Sequence, residues 1–162
     1  MNDLRLITGG FFLLNFTTFD TNNTIPSIMI YTLCYVSKAA EGLSDLAIDT
    51  IFLSTQSNNA RLNISGILLF GMGNFFQVLE GQKETIETLY EQQIKLDPRH
   101  TDIYEIIRRP TEQTIFETYS SLFTIVKTNK QLDTIRTYLN ANRIDPTSEK
   151  LERLLKPILL DL

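Results

Sequence analysis

The stretch from Asn58 to Gly81, NNARLNISGILLFGMGNFFQVLEG, constrains this chain more than any other. Ile64, Ile67, Leu68, Leu69 and Phe70 are apolar and partly β-branched, which suits a strand. Gly71-Met72-Gly73-Asn74 is turn chemistry, because Gly and Asn tolerate positive φ. Phe75, Phe76, Val78 and Leu79 make a second apolar strand, so the segment predicts a hairpin. Gln77 interrupts that second strand. A primary amide in a central strand needs partners for its donors and its acceptor, or it costs about 1–3 kcal/mol. Gln77 therefore either points to solvent from a half-exposed sheet or is placed to read a polar ligand.

The rest of the chain supplies elements to pair with this hairpin. Residues 30–37 are β-branched and aromatic and predict a strand, with Tyr31, Leu33 and Tyr35 on one face. Apolar residues recur at helical spacing over 44–57, and Asn58-Asn59 follow as either a C-cap pair or a pair of amide readers. A second helix is predicted over 83–96, with Glu84 and Glu87 near its start and Pro98 closing it. Strands are predicted over 103–108, ended by Pro110, and over 118–127. The order strand, helix, strand, strand, helix, strand, strand is that of an α+β, ferredoxin-like sheet with two helices on one face.

Two further helices, 130–140 and 148–160, are added at the C-terminal end. The second carries an apolar stripe of Leu151, Leu154, Leu155, Ile158 and Leu159, which must be covered by the sheet or by another subunit. The expected organisation is an N-terminal extension (1–28), disordered, docked as an extra hairpin or upstream of the true start, then a domain over 29–127 and a helical cap over 128–162.

Composition excludes several classes. The 162 residues carry 43% apolar residues, as folded soluble proteins do. A net charge of −4 argues against nucleic-acid binding by the surface as a whole. No apolar run is long enough to span a membrane, so the cytoplasm is the expected location. Cys34 is the single cysteine, and its expected role is a buried thiol. No Cys/His cluster suggests zinc. A signal peptide is a poor reading of the N-terminus, where Asp3 sits with Arg5 and no small-x-small cleavage pattern follows.

Several unlinked motifs follow one another over residues 29–125: Tyr35-x-Ser37, Ser57-Asn58-Asn59, Ile64-Ser65-Gly66-x-Leu68-Leu69-Phe70, Phe76-Gln77-x-Leu79-Glu80-Gly81, Leu89-Tyr90 and Asp97-x-Arg99-His100. Taken together they resemble a BLUF domain, the blue-light sensor that binds FAD. The resemblance implies a flavin ring between the two helices, with Gln77 and Asn59 on its N5, O4 and N3 edge. It implies that Tyr35 gives an electron and a proton to the excited flavin. Gln77 would bridge Tyr35 to the ring and settle into a different hydrogen-bond state, so that the spectrum shifts rather than bleaches. Asn58, Ser57, Thr55 and Ile64 are expected near the ligand. Arg99 and His100 are expected at phosphate or at the O2 edge, or else as a simple helix-end pair. Asp97 is expected to hold Arg99 or accept from a ribityl hydroxyl.

The chain departs from the family pattern in three places. Tyr119 and Ser121 stand where Trp and Met are usual in the relay to the last strand, and Gln92-Gln93 stand where an Arg is common. The spacing from Tyr90 to Asp97 is one residue longer than usual, which predicts a displaced helix end. The leading expectation is a photoreceptor with no enzyme attached, signalling to a separate, unidentified partner protein, with a homo-oligomer allowed. The alternatives are a flavin-deficient interaction module on the same fold and a small acid-base enzyme. The last lacks a nucleophile-base pair, a metal cluster or a phosphate loop.

Overall fold

A computed structural model describes residues 29–116, 123–143, 146–158 and 160. Strand β1 spans Ile30–Ala39, helix α1 Asp45–Arg61, β2 Ser65–Gly71, β3 Asn74–Gly81 and α2 Lys83–Leu89. A π-helical turn, Tyr90–Ile94, continues α2. Strand β4 (His100–Thr111), β5 (Thr124–Val126), α3 (Asn129–Ala141) and α4 (Pro146–Leu155) follow. The five strands form one mixed sheet in the order β4-β1-β3-β2-β5. Only β2 and β5 pair in parallel; β1 with β3, β1 with β4, and β2 with β3 are antiparallel. This is the expected α+β, ferredoxin-like arrangement, with the Gln77 strand at the centre.

Strand alternation divides the apolar residues between two cores. Tyr31, Leu33, Tyr35, Leu68, Phe75 and Leu79 face α1 and α2, where Ile48, Phe52, Ile86 and Leu89 cover them. Cys34, Ile67, Leu69, Phe76 and Val78 face the other way, against Leu132, Ile135 and Leu139 of α3 and Leu151 and Leu155 of α4. The sheet itself thus covers the C-terminal apolar stripe. Leu151 and Leu155 are fully buried, and each such burial stabilises by about 1.5–3 kcal/mol. Leu154 and Ile158 are half-buried, and Leu159 lies outside the described residues.

Local signals explain most element ends. Ser44 caps α1, its Oγ accepting from the Ala47 N–H at 3.3 Å. Thr128 and Gln131 form a reciprocal capping box on α3. The Arg136 guanidinium donates to the Leu155 carbonyl, at 3.1 Å from Nε and 2.8 Å from Nη2, and satisfies the end of α4. At the hairpin turn both Met72 and Gly73 have positive φ, 51° and 72°, which matches the right-handed twist of the flanking strands.

Several predicted boundaries differ; among them, β1 runs on to Ala39 and β4 begins at His100. Helix α1 does not stop at Ser57 but runs on to Arg61. Pro110 does not end its strand: β4 continues to Thr111, with Pro110 opposite Tyr31. Strand β4 is at the sheet edge, where a missing N–H is tolerated. The helix predicted over 83–96 changes to π geometry at Tyr90. The helix predicted over 148–160 starts at Pro146, whose fixed φ suits a first helical position, and stops at Leu155. Pro157 lies two residues beyond and cannot continue it. Of the strand predicted over 118–127, the described part is β5.

Candidate functional site

Tyr35 and Gln77 are directly opposed across the β1–β3 pairing, and Leu68 of β2 is opposite Gln77 on its other side. The Tyr35 hydroxyl donates a hydrogen bond to Gln77 Oε1. Both residues are buried, at 3% exposure. Gln77 therefore does not face solvent; its carbonyl is engaged and its N–H donors lie at the other end of the amide. Burial pushes the Tyr35 hydroxyl well above its ordinary pKa, and the neighbouring Tyr90 and Asp97 act in the same direction. The phenol keeps its proton throughout the neutral range.

A cleft with a cavity volume of about 150 Å³, partly open to solvent, lies over this pair. α1 contributes Ile51, Ser54, Thr55, Asn58 and Asn59 to its lining, and the α2 side contributes Leu89, Gln93 and Ile94. Asp97, Arg99 and His100 form its far end. Because α1 continues past Asn58-Asn59, these asparagines are not its C-cap. Leu62 takes that position, and Asn63 follows with a φ of 53°. Asn59 is 1% exposed and its Nδ2 has no hydrogen-bond partner. An unpaired buried donor costs about 1–3 kcal/mol unless a ligand meets it.

The far end is held by local pairing. Arg99 Nε donates to both Asp97 oxygens at 2.9 Å, and its backbone N–H donates to Oδ1 at 2.9 Å. The Arg99 guanidinium holds the Asp97 carboxyl below its usual range. His100 Nδ1 shares a 2.8 Å hydrogen bond with Ser37 Oγ, two residues from Tyr35 on the same face of β1. Between Tyr90 and Asp97 the helix takes a π-helical turn. Lys95 N–H bonds the Tyr90 carbonyl five residues back, at 2.9 Å. Asp97, two residues further on, lines the cleft.

The family model for BLUF, described as sensors of blue-light using FAD, matches residues 30–121. This chain belongs to the BLUF family. Among curated relatives, it is 39% identical over 82 residues to the photoactivated adenylate cyclase subunit beta of Euglena longa, covering 51% of this chain and 9% of that protein. Among solved structures, it resembles BlrP1 of Klebsiella pneumoniae, in a complex with calcium and cy-diGMP, with a TM-score of 0.63 and 28% identity over 80% of this chain and 34% of that one. It also resembles the photo-activated state of BlsA, with a TM-score of 0.59 and 26% identity over 83% of this chain and all (100%) of that one. The chain spans about a tenth of the length of the first curated relatives it matches.

FAD is the cofactor of BLUF domains, and the cleft fits it. Ile51, Leu68, Phe75, Leu89 and Ile94 give apolar walls for a planar ring, and the orphaned Asn59 amide gives a donor for its polar edge. Of the BLUF residues expected from sequence, Tyr35, Gln77, Asn58, Asn59, Thr55, Asp97, Arg99 and His100 meet at the cleft. Ser57 and Ile64 do not line it. Ser57 is exposed, and Ser54, one turn earlier, is among the lining residues. Ile64 is 2% exposed in the core beneath the helices. Gln93 lines the cleft and Gln92 does not. Tyr119 and Ser121 lie outside the described residues. Among the described residues no helix is long and apolar enough to cross a membrane.

The His100 environment makes a pH prediction. Burial holds its pKa below 6.5, against an opposing pull from Asp97. The unfolded chain therefore takes up this proton before the folded chain does, and stability is lost as pH falls from 6.5 through the folded value. Asp97 acts in a lower window, its contribution being present above 3.8 and lost below. The drop in Tm between about pH 7 and about pH 5 is expected to be smaller in His100→Gln than in the parent chain. Equal drops in thermal melts of the two would show that His100 titrates freely.

Proposed function

We propose that residues 29–127 form a light-sensing unit in which Tyr35 and Gln77 are the photoactive pair, and that residues 128–162 pass the change to a separate partner protein. The observation that carries this reading is the Tyr35–Gln77 hydrogen bond beside an unpartnered Asn59 donor. Bound FAD supplies the chromophore, which is a strong oxidant once excited by blue light. Gln77 and Asn59 would hold the polar edge of the ring, and Arg99 and His100 would serve its O2 edge or a phosphate. Asn58 and Thr55 assist from α1.

Within this reading Tyr35 would give an electron and its hydroxyl proton together, with excited FAD as the oxidant that takes the electron, because burial keeps the phenol protonated beforehand. The proton leaves along the bond to Gln77 Oε1. On its return the Gln77 amide settles in a second state, by rotation or tautomer change, with a different hydrogen-bond pattern. An amide serves here because its two ends are sterically alike and chemically opposite.

The described residues read as a sensor unit. The chain's match to the Euglena longa cyclase subunit runs over 82 residues, whereas its likeness to BlsA runs over all (100%) of that chain. The test is a dark-minus-light absorption spectrum of FAD-loaded protein. A red shift without bleaching is expected. Protein that stays colourless after FAD loading would instead be an interaction module, and bound flavin without a shift would remove the photochemistry. For the binding residues, Asn59→Ala is expected to weaken FAD binding by about 1–3 kcal/mol, the worth of one buried amide contact. Unchanged affinity in a fluorescence titration would remove Asn59 from the site.

A further inference from the structure

Glu80 is fully buried although it carries a carboxyl group. It stands on β3 three residues after Gln77 and, by strand alternation, faces the opposite way, with Phe76 and Val78 toward α3 and α4. The connection between β4 and β5 folds over it. The Ile115 N–H donates to both Glu80 oxygens at 3.0 Å, and the Phe116 N–H donates to Oε2 at 2.8 Å. Ile115 and Phe116 are themselves buried. The Ile115 carbonyl then accepts a 2.7 Å hydrogen bond from the Tyr138 hydroxyl on α3. One run of hydrogen bonds thus leads from the strand of Gln77, through the connection, to a C-terminal helix.

A buried carboxylate is a poor choice if packing is all that is needed, since an apolar side chain fills the same space without desolvating a charge. It is a good choice for holding two backbone N–H groups, because both of its oxygens accept. A glutamine there would turn an NH2 toward an N–H. β3 is hydrogen-bonded on both sides, so a shift of the strand at Gln77 carries the Glu80 carboxylate with it. The connection that the carboxylate holds leads directly into residues 117–122, which include Tyr119 and Ser121.

We infer that Glu80 is a positioning residue that couples the state of Gln77 to α3 through Ile115 and Tyr138. The inference rests on the photosensor reading above and names the route by which that sensor reaches its C-terminal helices. It is tested on FAD-loaded full chain, in the dark and under blue light, for the parent, Tyr138→Phe and Glu80→Gln. Absorption reports the flavin, and amide hydrogen exchange reports residues 115–116 and 129–141.

Light is expected to change exchange in α3 of the parent by about fivefold or more, the lower end of coupling between distant sites. Tyr138→Phe, which deletes one half-buried hydroxyl, is expected to keep the red shift and lose most of that light-induced difference. Glu80→Gln is expected to lose the difference at 115–116 as well. A purely structural role would raise exchange in dark and light alike and leave their ratio unchanged, which would overturn the proposal. A red shift in the parent without any α3 response would also overturn it. No red shift in the parent would defeat the photosensor reading, and this route with it. Should Glu80→Gln fail to fold, Tyr138→Phe alone decides.

Discussion

Tyr35→Phe is expected to bind FAD as the parent chain does and to show no light-induced red shift. The ring is kept, so the packing against Tyr90, at 5.6 Å between centroids, is kept with it. What is lost is one hydroxyl, and with it the proton that moves and the donor on Gln77 Oε1. Leaving that buried acceptor unmet costs about 1–3 kcal/mol, well short of the stability of an ordinary domain. The variant should fold, stay yellow and be photochemically silent. The parent's shift should also keep its amplitude into mildly alkaline solution, because burial holds the Tyr35 proton far above neutral pH. A normal shift in Tyr35→Phe would refute the mechanism, whatever the fate of flavin binding.

Gly66→Ala is expected to be the most destabilising single-methyl addition in the sheet. Gly66 has a φ of 133°, a conformation L side chains rarely adopt. An added Cβ would collide with the Val78 carbonyl and come within 3.2 Å of the Phe123 ring. Val78 belongs to β3, which is paired on both sides, so relieving the clash means displacing β2 or β3 against its partners. Backbone strain and overpacking together should cost about 3 kcal/mol or more. Gly81→Ala is the control: its φ is ordinary, and a Cβ there would meet neighbours at 3.5 Å and beyond. Denaturant midpoints should separate the two variants clearly, and equal midpoints would show that β2 adjusts at no cost.

The π-helical turn at Tyr90–Ile94 was not legible in the sequence, which predicts a regular helix over 83–96. A wide turn changes the direction of every later side chain, and Asp97, Arg99 and His100 line the cleft beyond it.

The sequence alone determined the element order, because the governing signals are local. Alternating apolar residues, the Gly71–Asn74 turn and helical spacing over α1 and α3 depend only on near neighbours. Sequence also singled out Tyr35, Gln77 and Asn59 through the motifs around them, whereas the Ser37–His100 contact appeared only in the folded chain. It left three choices open that tertiary structure decided. Whether Gln77 faces solvent or a ligand depended on the β1–β3 register, which pairs residues 42 apart in the chain. Whether Asn58-Asn59 cap a helix or face a cleft depended on α1 running to Arg61, where Leu62 and Asn63 end it instead. What covers the C-terminal leucines depended on a second apolar face of the sheet, built from the alternate residues of β1, β2 and β3. The role of Glu80 was hidden for the same reason. A carboxylate in a strand looks solvent-exposed until the chain that donates to it, 35 residues on, is folded over it.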